Sequence, residues 1–191
     1  MDYITKAVAD ADAADWITVF AYLVAAGLSR RAAHWAYLRR ETRARLFWNC
    51  SSAAMLFLGI NELLDLQTLL TAVGKMAAQS QGWYEGRRPI QFAFIIALAV
   101  LALAASITTF VFVKDMTKPV KLAVAGYIFI GVFILFRAAS FHHMDELLGS
   151  GYQAFNLGSI QEMAGIVVVG LASVIYVRSA RRHGTAKLKG R

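Results

Sequence analysis

The residues best suited to chemistry lie in one ten-residue stretch, 137–146, at the end of a long apolar segment. The stretch combines an arginine, two histidines and two carboxylates: Arg137, His142, His143, Asp145 and Glu146. Imidazoles and carboxylates serve as acids, bases or metal ligands, and arginine binds anionic groups. His142, Asp145 and Glu146 are spaced i, i+3 and i+4, so they share a face if the helix continues past the apolar segment. This stretch is the first candidate for an active region.

The composition predicts that these residues belong to an all-α integral membrane protein. Of the 191 residues, 58% are hydrophobic and 17% charged, whereas a soluble domain has about 25% charged residues. The mean hydropathy is +0.52. Five long apolar segments lack the alternation of barrel strands, and a helix needs ~20 residues to cross the ~30 Å hydrocarbon core. We expect a five-helix transmembrane bundle with spans at residues 15–29, 46–70, 90–113, 122–141 and 157–177.

The distribution of charge predicts the orientation of these spans. Fifteen of the 20 Lys and Arg follow the first, third and fifth spans, whereas only Glu41 and Asp115 of the 12 acidic residues lie on that side. The positive-inside rule then places the N-terminus outside and the C-terminus in the cytoplasm. We expect a bacterial cytoplasmic (inner) membrane protein with a single transmembrane domain, residues 1–191, ending in a basic cytoplasmic tail, 178–191. Topology thereby explains the net charge of +8, and no nucleic-acid partner is expected.

Three of the predicted helices place a charge in one layer near the outer face. At ~1.5 Å per residue, Glu62 lies ~6 Å, Arg137 ~8 Å and Glu162 ~7 Å below the outer boundary of the hydrocarbon core. A charge in the membrane core costs about 2.5–3.5 kcal/mol, so pairing within the bundle is the cheaper explanation for three at one level. At or just above this layer lie Asp65, His142, His143 and Asp145.

A metal site is one interpretation of this layer. Imidazole together with carboxylates suits zinc, iron or manganese. The ligands would be His142, His143, Asp145 and Glu62, with Asp65 and Glu162 in the same pool. The sequence contains no HExxH, ExxH or HxxxH motif, so no paired-ligand spacing supports the site.

A structural role is the alternative interpretation. Glu62 and Arg137 would then form a buried ion pair that fixes helix register. Ser159 and Glu162 match a capping box, in which Glu162 would only satisfy backbone amides at a helix start. The single cysteine, Cys50, excludes an intrachain disulfide and a thiolate metal cage, and we expect it to be buried in the second span.

The segment 82–88, Gly-Trp-Tyr-Glu-Gly-Arg-Arg, is a second candidate site. Arg87 and Arg88 lie on the predicted outer side, against the general charge bias. Arginine binds phosphate bidentately, and Trp83 and Tyr84 would hold the segment at headgroup depth. The segment is therefore predicted to bind an anionic lipid or amphiphile, with interfacial anchoring as the alternative.

These residues predict a membrane-embedded enzyme that acts at the outer face on a lipid or amphiphilic anionic substrate. His142 or His143, with Asp145, Asp65, Glu62 and Glu162, would hold a metal or act as acid and base, while Arg137, Arg87 and Arg88 would bind the anion. The alternatives are an accessory subunit whose polar layer fixes helix packing and a small proton-coupled transporter. The cytoplasmic halves of the third and fifth spans carry no charge, so a one-sided polar layer favours an outward-facing pocket over a path through the bundle. The sequence has no catalytic-serine motif, P-loop or dinucleotide fingerprint.

Overall fold

A computed structural model describes residues 13–64, 87–140 and 151–189. These residues form five helices and no strand, which confirms the all-helical prediction. The helices are α1 (Ala13–Leu38), α2 (Thr42–Leu64), α3 (Arg87–Val113), α4 (Lys118–Ser140) and α5 (Gly151–Lys189). Pro89 and Pro119 each lie in the first turn of a helix, where the missing N–H has no helical partner to lose.

Two of the predicted spans meet the requirements of length and composition for crossing a membrane. Within the described residues, the segments Lys118–Leu135 of α4 and Ile160–Arg182 of α5 are long and apolar enough, and α3 contains a shorter apolar stretch, Ala99–Val113. The other three spans remain predictions. Helix α5 continues to Lys189, so most of the basic tail predicted at 178–191 is helical.

A tight turn connects α1 to α2. The amides of Arg40 and Glu41 donate to the carbonyls of Tyr37 and Ala36, at 3.0 Å each. This pairing is a Schellman motif, whose penultimate residue adopts the left-handed conformation usually taken by glycine. Arg40 occupies that position with φ = 59°. The turn makes α1 and α2 antiparallel neighbours.

Side-chain contacts bring the three basic segments of the chain to one end of the bundle. Arg43, in the first turn of α2, donates a 2.6 Å hydrogen bond to the carbonyl of Phe112 near the end of α3. The Arg181 guanidinium of α5 lies 5.2 Å above the ring of Trp35 in α1. We call residues 35–45, 112–121 and 176–182 the basic end. The starts of α1, α3 and α5 and the ends of α2 and α4 point the other way, toward what we call the opposite end.

Helices α1, α2, α4 and α5 form the interior of the bundle. One buried cluster, at the basic end, draws on all five helices, whereas a second cluster is built from α1, α2, α4 and α5 around Tyr22, Met55, Ile130 and Ile166. Helix α3 is peripheral, and several of its large apolar side chains are exposed, among them Phe92 (68% exposed) and Phe110 (67% exposed).

Glycines set the crossing of α4 and α5. A Cβ added at Gly126 would lie 2.8 Å from the Gly165 carbonyl, and one at Gly165 would lie 2.6 Å from Ile130 Cγ1. Close backbone approach at small residues is the usual way in which helices associate without a hydrophobic driving force between them. The α4–α5 pair therefore has the packing expected of membrane helices.

Candidate functional site

A buried carboxylate on α5 pairs with a phenol on α1. The Tyr22 hydroxyl donates a 2.6 Å hydrogen bond to Glu162 Oε1. Glu162 is 5% exposed and Tyr22 is 1% exposed. A buried carboxylate is costly unless it is hydrogen-bonded. The Tyr22 phenol supplies the hydrogen-bond donor that Glu162 needs, from a side chain that is otherwise apolar. Glu162 was predicted from the sequence, but Tyr22 was not.

The capping-box interpretation of Glu162 is wrong. Helix α5 begins at Gly151, so Ser159 and Glu162 lie in its third and fourth turns rather than at its start. The amides near them are already inside a helix, and the Glu162 side chain crosses to α1 instead. Its role concerns the contact between helices.

Helix α2 passes close to the same tyrosine. A Cβ added at Gly59 would lie 3.0 Å from Tyr22 Cβ, so the backbone of α2 abuts α1 at this level. Glu62 follows three residues later, on the same side of the helix, and is half-buried. Glu162 contacts Tyr22 directly, whereas Glu62 lies about one helical turn beyond the point where α2 abuts Tyr22.

The helix directions bring three arginines toward the opposite end as well. Arg87 and Arg88 are the first residues of α3, and Arg137 lies in the last turn of α4. Their side chains lie outside the described part of the chain, so the predicted Glu62–Arg137 ion pair remains a prediction.

The remaining predicted site residues lie outside the described ranges. They are Asp65, Trp83, Tyr84, His142, His143 and Asp145. Among the residues that the structure does describe, no three His, Cys, Asp or Glu side chains gather into a metal-binding group. Three of the four predicted ligands, His142, His143 and Asp145, lie outside those residues, so the metal site stays a prediction.

Four hydroxyls from four helices meet in the middle of the bundle. Ser29 Oγ lies 3.1 Å from Ser51 Oγ and 3.2 Å from Ser173 Oγ, and Ser51 Oγ lies 2.7 Å from the Tyr127 hydroxyl. Tyr127 also reaches the carbonyl of Ser51 at 3.0 Å, and Ser173 donates to the Val169 carbonyl at 2.9 Å. We call these four residues the hydroxyl cluster.

The hydroxyl cluster has five contacts but only four protons, because each hydroxyl has one proton to donate. Ser173 donates to the Val169 carbonyl and Tyr127 donates to the Ser51 carbonyl. Ser29 and Ser51 then hold the two protons that remain for the three contacts among the hydroxyls. The cluster therefore links α1, α2, α4 and α5 through contacts that share donors, without one fixed direction.

The hydroxyl cluster is a buried polar level additional to the charged layer predicted near one face. Ser29 and Ser173 are 0% exposed and Ser51 is 3% exposed, and they lie between the level of Glu162 and the basic end. Counting charges along the sequence missed them because serine and tyrosine carry none. Cys50 also departs from expectation, since its side chain is exposed.

A third set of polar contacts, centred on Glu41, lies at the basic end. Glu41 accepts a 2.6 Å hydrogen bond from the Tyr176 hydroxyl through Oε2, and its Oε1 lies 2.9 Å from Arg39 Nε. A small cavity of about 150 Å³ adjoins these residues, with Thr117 and Pro119 in its wall. Glu41 thus ties the α1–α2 turn to α5.

No family model, curated protein or solved structure matches the chain.

Proposed function

We propose that this chain is a multi-pass membrane protein of the bacterial inner membrane, with five spans and an outward-facing acid–base site. The proposed site is centred on Glu162 and Tyr22, with Glu62 beside it. We further propose that it is a membrane-embedded enzyme acting on a lipid or amphiphile that carries an anionic group.

The observation that carries the proposal is the buried Glu162–Tyr22 pair. An ionisable residue inside an apolar helix bundle is expensive, and such residues usually mark a functional position. A carboxylate that is hydrogen-bonded to a phenol can accept a proton from a substrate. The phenol can orient the carboxylate or donate a proton in its turn, and such groups serve in general acid–base catalysis.

The placement of charge supports the proposed orientation. The contacts at the basic end gather the segments that hold most of the Lys and Arg, as the positive-inside rule requires of cytoplasmic loops. The Glu162–Tyr22 pair lies toward the opposite end, which would face outward. Arg87, Arg88 and Arg137 are on helix termini at that end, where they could bind an anionic substrate.

A metal remains part of the proposal. His142, His143 and Asp145 follow the end of α4 and would join Glu62 as ligands of zinc, iron or manganese. Elemental analysis of the full-length protein, purified without chelators, is the direct test. Near-stoichiometric metal that falls in the His142→Ala/His143→Ala variant would support the site, and metal-free protein would remove it.

An accessory role is the second candidate, and the hydroxyl cluster favours it. Its contacts join four helices inside the bundle, as expected for polar groups that fix helix packing. A transporter is the third candidate, because polar contacts between helices occur at three levels of the bundle, at Glu162, at the hydroxyl cluster and at Glu41.

Formation of a lipid product separates the enzyme from the other two candidates. Full-length protein in vesicles of phosphatidylethanolamine, phosphatidylglycerol and cardiolipin would be incubated, and the lipids analysed by mass spectrometry. An enzyme should yield a product whose rate falls by about 10²–10⁴-fold in Glu162→Gln, the usual contribution of a general acid or base. The exposed Ser106→Ala variant serves as the control.

The outcome of the same experiment can contradict the proposal. If Glu162→Gln unfolds at a lower temperature than wild type but neither protein forms a product from these lipids, the pair is structural. A product that forms equally in wild type and Glu162→Gln would remove Glu162 from the chemistry.

A further inference from the structure

A groove next to the basic end has the composition of an anion site. It lies between α1 and α2, has a volume of about 530 Å³, and is lined by Arg30, Arg31, His34, Tyr37, Arg45 and Asn49. None of its lining residues is acidic. Three guanidinium groups at one groove, without a carboxylate among them, form a concentrated positive patch.

Two of the three arginines are held in place. Arg30 Nη1 donates a 2.6 Å hydrogen bond to Asn49 Oδ1, and the Arg45 guanidinium lies 4.7 Å above the ring of Tyr37. A guanidinium has five N–H donors in a fixed fork, so these contacts orient the groups and leave donors for a ligand. The arrangement suits the tetrahedral oxygens of a phosphate, which arginine binds bidentately.

The groove continues into apolar faces on both helices. On α1, Phe20, Leu23 and Val24 are 68%, 49% and 44% exposed, and their spacing places them on the face that also carries Gly27 and Arg31. A Cβ at Gly27 would meet no atom within 4 Å, so the path between the two parts is open.

Helix α2 repeats this pattern on its side of the groove. Arg45 and Asn49 lead along one face to Leu56 and Ile60, which are 43% and 53% exposed. Both walls therefore change from basic to apolar in the same direction, away from the basic end. A phospholipid has the same order of parts, a charged headgroup followed by acyl chains.

We propose that this groove binds the phosphate of an anionic phospholipid from the leaflet that faces the basic end. Arg30, Arg31 and Arg45 contact the phosphate, and the apolar faces of α1 and α2 contact the acyl chains. The inference rests on the membrane placement in the proposed function but not on the Glu162–Tyr22 site.

The test uses the full-length protein in dioleoylphosphatidylcholine nanodiscs, with or without dioleoylphosphatidylglycerol. Phosphatidylglycerol that stays bound after release into detergent is counted by native mass spectrometry. The groove variant Arg30→Gln/Arg31→Gln/Arg45→Gln is compared with Lys114→Gln/Lys121→Gln/Arg178→Gln, which removes the same charge from exposed positions outside the groove.

We expect wild type and the control variant to retain phosphatidylglycerol in preference to phosphatidylcholine. Because an arginine near an anionic lipid surface contributes about fivefold in affinity, the groove variant should lose more than about tenfold. The single variant Arg31→Gln should lose about fivefold. It leaves the Asn49 and Tyr37 contacts in place and so provides the test if the triple variant does not fold.

Three results would overturn the inference. One is an equal loss of lipid in the groove and control variants, which would mean that total charge decides retention. Another is displacement of the lipid by inorganic phosphate at low concentration, which would identify a soluble phosphate as the ligand. The third is no preference for phosphatidylglycerol in wild type inserted in nanodiscs, which would leave the proposed acid–base function standing. Conversely, if no lipid product forms, or if its formation does not depend on Glu162, the acid–base function fails and the lipid site is unaffected.

Discussion

Tyr22 and Glu162 are 140 residues apart in the chain, yet their side chains meet in a 2.6 Å hydrogen bond inside the bundle. The contact joins α1 to α5 toward the end opposite the basic segments. It provides the buried carboxylate with a donor, and it is the feature on which the proposed acid–base site depends.

The energetic coupling of this pair can be measured with a double-mutant cycle. Tyr22→Phe and Glu162→Gln should each lower the free energy of unfolding, and the pair should couple by about 1.5–3 kcal/mol, the range for a hydrogen bond to a charged group. Reversible unfolding in detergent micelles provides the measurement. Tyr37→Phe, at an exposed tyrosine, is the control, and additive losses for the two buried variants would mean that the residues do not interact.

The glycine crossing of α4 and α5 predicts opposite effects for the same substitution. Gly126→Ala and Gly165→Ala place a methyl group 2.8 Å and 2.6 Å from neighbouring atoms, so each should destabilise the protein by about 1–3 kcal/mol through overpacking. Gly131→Ala meets nothing within 4 Å and should be neutral or stabilising, because alanine favours the helix. Thermal unfolding midpoints compare the three; similar midpoints would contradict the close crossing.

Arg40 offers a stabilising substitution. Its φ of 59° is left-handed, which costs a residue with a Cβ about 1–2 kcal/mol relative to glycine. Arg40→Gly should therefore unfold at a higher temperature than Arg40→Ala, although both lose the same charge. An Arg40→Ala variant as stable as Arg40→Gly would show that the turn does not hold this conformation.

Ser29 is the central link of the hydroxyl cluster. Ser29→Ala removes its contacts with the buried hydroxyls of Ser51 and Ser173, so the expected loss is about 1–3 kcal/mol. Ser106→Ala removes only an exposed hydrogen bond from the serine hydroxyl to the carbonyl of Ala102 in the same helix. It should change the free energy of unfolding by less than about 0.5 kcal/mol. Chemical denaturation of both variants makes the comparison, and equal, small effects would contradict a connected cluster.

The helices could be predicted from the sequence, whereas most of their contacts could not. Apolar runs of helical length indicated all five, and α3, α4 and α5 contain their predicted spans almost completely. The apolar run of the first predicted span ends at Arg30 and Arg31, but the helix that contains it continues to Leu38. The length of an apolar run indicates the extent of a membrane span, but the charged residues that follow the span can still be helical.

The candidate site was predicted in part. Glu162 stood out because a charge in an apolar segment is rare, but its partner Tyr22 is one of seven tyrosines and has no local signal. The hydroxyl cluster was missed for the same physical reason: Ser29, Ser51 and Ser173 become a group only when α1, α2 and α5 pack together. Such contacts depend on tertiary structure rather than on local pattern.

The membrane orientation of the bundle is the central claim, because both the outward-facing site and the lipid groove depend on it. It is tested by labelling single cysteines in a Cys50→Ser background, with Ala13→Cys at the start of α1 and Lys189→Cys at the end of α5, in intact cells with a membrane-impermeant maleimide. Five spans with the basic end in the cytoplasm predict that position 13 is labelled from outside and position 189 only after the cells are opened. Labelling of position 189 in intact cells would contradict this orientation and, with it, the outward-facing placement of Glu162 and Tyr22.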